Sequence, residues 1–255
     1  MGNLNSTLTF RDTNARVDAL ASTNGLGDLG KLPRELRDIV CESMLANALD
    51  QNVEVEDYLS RPNRDLPPIF QVSRTINEET VLVALRQHTL ILRGHHTINR
   101  LTSFLERFPA NKGFAGVRSL ELRGVDDVRN MFTTLSVRFA HMNRFPALRR
   151  MRLAFDALAL IAIDTTNWAP ESRSLADLVQ KNKFRELFAC TTLRDLTLKG
   201  HDCAHAAYMR FGARRALQSL GKWLGKEFEK EKMNVHVRLV ESWATRYGER
   251  HEKNL

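Results

Sequence analysis

The sequence is poor in cysteine: Cys41, Cys190 and Cys203 are the only three among 255 residues. An odd number without recurring spacing does not suit a disulfide framework and is typical of a protein from a reducing compartment. A long hydrophobic run is also lacking, because the most apolar window, 155–163, is too short to cross a bilayer and contains Asp156. The first residues lack the apolar stretch of a secretory signal. We therefore expect a cytoplasmic or nuclear protein that is not secreted by a conventional signal peptide.

The sequence also lacks a glycine-rich phosphate loop, a nucleophile elbow and a paired zinc motif. We therefore expect no enzyme, no catalytic residue, no cofactor and no metal. One alternative is a metal-dependent enzyme at the edge where the predicted strands end. There the residues His201, Cys203 and His205 carry possible zinc ligands, but their spacing matches no common zinc site.

Acidic residues are outnumbered by basic ones, 30 Asp and Glu against 38 Lys and Arg, which gives a net charge of +8. Such a protein is attracted to acidic protein surfaces and polyanions. No recognised nucleic-acid motif accompanies the charge, so the nucleic-acid signal is not strong. At the N-terminus, the pattern M-G-x-x-x-S predicts a lipidation site at Gly2. A second anchoring signal is missing, so a myristoylated chain would associate with membranes weakly and reversibly.

The first half of the chain indicates two helices. Residues 1–30 lack apolar periodicity and are predicted to be a disordered tail. Apolar residues then recur at helical steps over 32–49 and again over 69–86. The polar, proline-bounded stretch 50–66 between them is predicted to be a loop. These elements form an N-terminal helical segment, 31–87.

A pattern of the form L-x-x-L-x-L recurs in the second half, beginning at Val117, Leu148 and Leu193, with flanking copies near Leu90 and Val237. Period-two alternation predicts half-buried strands, and helical patterns between them predict parallel neighbours joined by crossovers. We therefore expect an α/β fold over 88–243. Its sheet should be repeat-like, mostly parallel and covered by helices on one side, in the manner of a leucine-rich repeat. Residues 244–255 are predicted to be a polar C-terminal tail.

The segment Leu32-Pro33-Arg34-Glu35-Leu36 leads into the first helix, and Phe70-Gln71-Val72-Ser73-Arg74-Thr75-Ile76 leads into the second. Together they resemble the F-box-like domain proteins of filamentous fungi, with Ser73 where that family usually has cysteine. The resemblance implies an F-box-like fold for 31–87 and docking on a Skp-type adaptor of a cullin ubiquitin ligase. The implied docking residues are Leu32, Pro33, Leu36, Ile39 and Val40. Their alternative role is packing of the first helix onto the second.

A second candidate surface is the sheet face opposite the leucines, because successive strand side chains alternate between faces. We expect this face to be rich in cations. The predicted partner-binding residues are Arg93, Arg123, Arg150, Arg152, Lys199 and Arg238. Arginine binds carboxylates and phosphates in a two-pronged manner, so an acidic or phosphorylated protein is the expected partner. A solvated strand face is the alternative.

The sequence thus favours a non-enzymatic protein-interaction protein, an F-box-like substrate adaptor for a ubiquitin ligase. The alternative within the same class is a scaffold or effector-like interaction protein that has the F-box-like fold and no ligase partner.

Overall fold

Seven strands form the main sheet of the protein, which we describe from a computed structural model. The structure describes residues 31–48, 52–55, 74–125, 142–163, 170–201, 210–244 and 250–254. The strands of the protein are β1 (Asn52–Glu54), β2 (Thr89–Arg93), β3 (Ser119–Val125), β4 (Arg150–Asp156), β5 (Ile161–Ile163), β6 (Pro170–Ser172), β7 (Asp195–His201), β8 (His236–Ala244) and β9 (Arg250–Asn254).

The main sheet has the strand order β1-β2-β3-β4-β7-β8-β9. All neighbours from β1 to β8 pair in parallel, and β9 pairs antiparallel with β8. The remaining two strands, β5 and β6, form a separate antiparallel pair. The prediction of an α/β fold with a mostly parallel sheet is therefore confirmed.

Six α-helices lie in the described part of the chain. They are α1 (Arg34–Ala48), α2 (Arg74–Gln87), α3 (Gly94–Leu105), α4 (Lys112–Gly116), α5 (Leu175–Asn182) and α6 (Arg210–Lys230). Short 3₁₀ helices at Pro109–Asn111, Met142–Arg144, Ala157–Leu160 and Phe184–Ala189 occupy parts of the connections. Helix α1 falls within the helix predicted over 32–49, and α2 overlaps the helix predicted over 69–86 but ends one residue later.

The L-x-x-L-x-L segments occupy neighbouring strands in one register. Leu120 of β3 lies beside Met151 of β4, which lies beside Leu196 of β7. Two residues further along, the leucines of these strands are again aligned with one another. Because every second side chain points to the same face, this register places the apolar residues of all three strands in one layer.

The main hydrophobic core lies on this leucine-bearing face. It joins Leu122 and Leu198 of the sheet to Leu85 of α2, Ile98 of α3 and Leu220 of α6. The buried residues Ile91 and Ala154 belong to the opposite face and are not part of this core. The described helices that contribute to the main core therefore meet the sheet through the leucine-bearing face.

Two predictions about the chain need correction. The loop predicted over 50–66 contains β1, which pairs with β2 and so places part of the N-terminal helical segment in the main sheet. The polar tail predicted over 244–255 contains β9, which pairs with β8. Both strands are short edge strands. Because β9 is entirely polar, main-chain pairing rather than apolar alternation accounts for it. The predicted disordered tail, 1–30, lies outside the described residues.

Candidate interaction surfaces

Helix α1 has an apolar surface that is open to solvent. Leu36 is 47% exposed and Ile39 is 59% exposed, although both are large hydrophobic residues. Pro33 is exposed as well, and Leu32 and Val40 are half-buried. Since Leu36 and Ile39 are three residues apart on a helix, they lie on the same face. We call the five residues implied as docking residues the α1 face; three of them, Pro33, Leu36 and Ile39, are exposed.

A different set of residues packs α1 against α2. Cys41 and Leu45 are buried in a small second core with Ile76 and Ala84, and the Cys41 thiol lies 3.4 Å from the hydroxyl of Thr80. Burial raises the pKa of the Cys41 thiol, which keeps it in the neutral form. The helix therefore packs through one side, while the α1 face is on another.

Two ion pairs also join the helices. Arg37 binds Glu79, and Asp38 accepts a 3.3 Å hydrogen bond from Arg86. The hydrogen bonds from Arg37 lower the pKa of the Glu79 carboxyl, which favours its ionised form. These contacts fix the rotation of α1 about its own axis and so keep the α1 face outward.

Carboxylates interleave with arginines on the sheet face opposite the leucines. Glu54 of β1 binds Arg93 and also lies 3.4 Å from Arg123. The buried Glu121 of β3 binds Arg123 at 2.6 Å and Arg152 at 3.1 Å. These contacts continue across four neighbouring strands, β1 to β4. We call these five residues the charge network.

A carboxylate also pairs with an arginine on β7 and β8, at the other end of the same sheet face. Asp195 of β7 accepts a 2.8 Å hydrogen bond from Arg238 of β8, and the ring of His236 lies 3.9 Å from the same carboxylate oxygen. Four of the six predicted partner-binding cations, Arg93, Arg123, Arg152 and Arg238, are therefore ion-paired within the protein. Lys199 is half-buried, and Arg150 is exposed. Their role in partner binding stays a prediction.

Sequence reasoning missed Glu54 as an ion-pair partner because it assigned 50–66 to a loop. The alternating stretch Asn52-Val53-Glu54-Val55 was the available signal, since Val55 is buried and Val53 and Glu54 are half-buried. Strand alternation also places Glu121 on this face, but it does not indicate that the Glu121 side chain is only 3% exposed.

A second group of arginines lies at the N-terminal ends of the strands, and sequence reasoning did not assign it a role. Three arginines directly precede β3, β4 and β7, and all three are exposed: Arg118, Arg149 and Arg194. Each occupies the second position of an L-x-x-L-x-L segment. That shared position was the signal that could have identified them. We call these three residues the arginine ladder.

The opposite edge of the sheet contains the candidate metal ligands. His201 ends β7 beside Asp156 of β4 in the register of the sheet. Burial lowers the pKa of His201 and favours its neutral form, although the nearby Asp156 acts in the other direction. Cys203 and His205 lie outside the described residues, as does Gly2. Within the ranges that the structure describes, no three His, Cys, Asp or Glu side chains come together as a metal site would require.

None of the described helices is both long enough and apolar enough to cross a membrane. No protein-family model matches the chain, and no curated protein or solved structure matches it significantly.

Proposed function

We propose that the protein is a non-enzymatic interaction protein, an F-box-like substrate adaptor that docks on a Skp-type adaptor through the α1 face. Its cationic surfaces would then recognise an acidic or phosphorylated protein, as expected for arginine-rich sites. The same proposal implies a cytoplasmic or nuclear location, where cullin ubiquitin ligases operate.

One observation carries the docking half of the proposal: the residues that the resemblance implies are accessible. Had Leu36 and Ile39 been needed to pack α1 onto α2, they would lie in the second core with Leu45. Instead they are 47% and 59% exposed while Leu45 is fully buried. Clustered exposed apolar side chains mark interaction sites more often than isolated ones do.

The finer description of the fold belongs to the same proposal. Helices α1 and α2 pack against each other, and the exposed Leu36 and Ile39 lie in the N-terminal half of α1. An F-box-like segment would be expected to present such a surface. The shared register of β3, β4 and β7 favours a repeat-like origin of the sheet, similar to a leucine-rich repeat. Both features support the proposal without depending on the charge network.

The scaffold alternative is favoured by a different observation. Between α1 and α2 the chain contributes β1 to the edge of the main sheet. This pairing ties the F-box-like segment to the main sheet, so the segment is not a separate docking module. Such an arrangement suits a protein that kept the F-box-like fold without binding a ligase. Such a protein would bind partners but no ligase subunit.

The enzyme alternative depends on a metal at the edge near His201, with Cys203 and His205. Elemental analysis of the purified protein decides it, because a metal-dependent enzyme requires a stoichiometric ion. We propose that no stoichiometric metal is found.

Co-expression with a Skp-type adaptor tests the proposed function. The wild-type chain should co-purify with the adaptor, and the variant L36D/I39D should not, because two carboxylates would have to be buried in an apolar interface. The matched control F211D/S219D adds the same two charges at exposed positions of α6, where Phe211 is 81% exposed. It should co-purify as the wild type does. Co-purification of a folded L36D/I39D variant removes the docking proposal, and capture of other partners without any ligase subunit favours the scaffold.

A further inference from the structure

The arginine ladder is held in register by the backbone. The amide of Arg149 donates to the carbonyl oxygen of Arg118 at 2.9 Å, and the amide of Arg194 donates to that of Arg149 at 2.8 Å. Parallel neighbours in a sheet are about 4.8 Å apart, so the three Cα atoms form a row about 10 Å long. The side chains of the ladder therefore start from evenly spaced positions.

Buried residues fix this row from both sides. The residue before each arginine, Val117, Leu148 or Leu193, is at most 1% exposed. The second residue after each arginine belongs to a core strand and is also buried. The backbone of the ladder is thus anchored by buried neighbours on both sides, while its three arginines are exposed.

The ladder differs in one respect from the charge network. Each arginine of the network has a carboxylate, whereas no ladder arginine forms an ion pair with any side chain in the ranges that the structure describes. Asp195 directly follows Arg194 in the sequence, but its carboxylate is already bound to Arg238. Like charges on directly adjacent strands repel one another, so the row is a cost to the fold that an anionic partner would relieve.

We propose that the arginine ladder binds an acidic helix of a partner protein, laid across the strands with three carboxylates on one face. On a helix, side chains three or four residues apart are about 5–6 Å apart, close to the spacing of the ladder. On an extended peptide, side chains of one face repeat at about 6.6–6.8 Å, which matches the ladder less well. The guanidinium fork suits carboxylates, and all three cations are arginine rather than lysine.

This inference rests on the proposed function, in which the protein recognises an acidic partner. It assigns the binding of that partner to the arginine ladder instead of the charge network. Nucleic acid is the less favoured occupant. Single strands are bound by long cationic grooves that contain stacking aromatic side chains. The ladder spans only three residues, and the next row of aligned residues contains Ser119, Arg150 and Asp195.

The test uses two fluorescein-labelled peptides of identical composition, each of about 18 residues so that a helix is stable. Both are built from alanine and glutamine with three glutamates. In the first peptide, the glutamates lie four and then three residues apart, so that they share one face of a helix. In the second peptide, they occupy alternate positions, so that they share one face only when the peptide is extended. Fluorescence anisotropy at low ionic strength, where exposed charges are least screened, reports binding to the full chain.

We expect the first peptide to bind more tightly than the second, and the variant R118Q/R149Q/R194Q to bind it about tenfold more weakly than the wild type. The control variant R100Q/R215Q/K222Q removes the same charge from exposed positions on α3 and α6. It should bind as the wild type does. Circular dichroism confirms that both variants fold.

Equal binding of the two peptides, or equal weakening by both variants, overturns the inference, because attraction would then follow net charge alone. Tighter binding of a phosphoserine peptide or a single-stranded oligonucleotide at the ladder overturns it as well. Two variants distinguish failure of this inference from failure of the proposed docking on the Skp-type adaptor. The ladder variant should still co-purify with the Skp-type adaptor, and L36D/I39D should still bind the acidic helical peptide.

Discussion

Arg37 and Glu79 join α1 to α2 through two parallel hydrogen bonds, from Nε to Oε2 at 2.7 Å and from Nη2 to Oε1 at 2.6 Å. The remaining nitrogen of Arg37, Nη1, donates to the carbonyl oxygen of Leu32 at 2.7 Å. One guanidinium therefore connects the first turn of α1 to the residues that precede it and to the facing helix. Because Leu32 is itself one of the implied docking residues, this contact helps to orient the α1 face.

The Arg37–Glu79 pair should make stability depend on pH. Its hydrogen bonds lower the folded-state pKa of Glu79 below the usual value of 4.5, so the pair stabilises the fold above that value and the contribution is lost as pH falls. We expect Glu79→Gln to lower the free energy of unfolding at pH 7, and the difference from the wild type to shrink on acidification through the folded pKa. Urea denaturation across this range measures it. A difference that stays constant with pH would show that the ion pair is not its source.

Two leucines of α1 should respond differently to truncation. Leu45 is fully buried in the second core, so Leu45→Ala should lower the free energy of unfolding by about 2–5 kcal/mol. Leu36 is 47% exposed, and Leu36→Ala should change it by about 0.5 kcal/mol or less. Chemical denaturation of both variants compares them directly. Equal losses would place Leu36 in the packing of α1 and remove the basis of the α1 face.

Glu121 should be the most important carboxylate of the charge network, because its side chain is 3% exposed and it binds two arginines. Replacing it by glutamine, Glu121→Gln, should lower the free energy of unfolding by about 1–3 kcal/mol. The matched control is Glu106→Gln, whose partner Arg144 and whose own side chain are 37% and 51% exposed. Surface pairs of this kind contribute about 0–1 kcal/mol.

The variant Glu121→Gln also shows which of the two cationic surfaces, the charge network or the arginine ladder, binds the acidic peptide. Glu121→Gln releases Arg123 and Arg152 from a carboxylate, so it should strengthen binding of an acidic peptide at the sheet face. If the arginine ladder is the binding site, affinity for the acidic helical peptide should stay within about twofold of the wild type, because the ladder is not part of the network. Fluorescence anisotropy with the labelled helical peptide measures this affinity for both proteins.

His201 should cause a loss of stability in mild acid. Burial lowers its pKa below the ordinary value of 6.5, so on acidification the unfolded chain takes up a proton before the folded chain does. Stability is therefore present above about pH 6.5 and falls as pH drops through the folded pKa. His201→Gln should flatten the pH dependence of unfolding between about pH 7.5 and pH 5. An unchanged pH dependence of unfolding in a folded His201→Gln variant would show that His201 is not its source.

Much of the fold could be predicted from local patterns. The alternation in Leu120-Glu121-Leu122 is sufficient to assign a strand and its buried face, and the helical periodicity around Leu45 is sufficient to assign α1. The short edge strands were harder to predict, because β9 is entirely polar and β1 offers only the brief alternation of Val53 and Val55. Their pairing depends on an available edge of the sheet, which is a property of the assembled fold.

The surfaces were less predictable than the fold. Alternation places Arg93, Arg123 and Arg152 on one face, but it does not reveal that Glu54 and Glu121 neutralise them. Which carboxylate meets which arginine depends on the register between strands that are far apart in sequence, with 69 residues separating Glu54 from Arg123. The exposure of Leu36 and Ile39 likewise depends on the rotation of α1, which contacts with α2 determine.

Hydrogen exchange of the purified chain with and without a purified Skp-type adaptor tests the docking proposal most directly. If the adaptor binds the α1 face, amides of residues 34–48 should exchange more slowly in the complex, because a bound helix opens less often. Peptides that contain the arginine ladder should keep their exchange rates. Unchanged exchange over 34–48 at saturating adaptor would contradict the account.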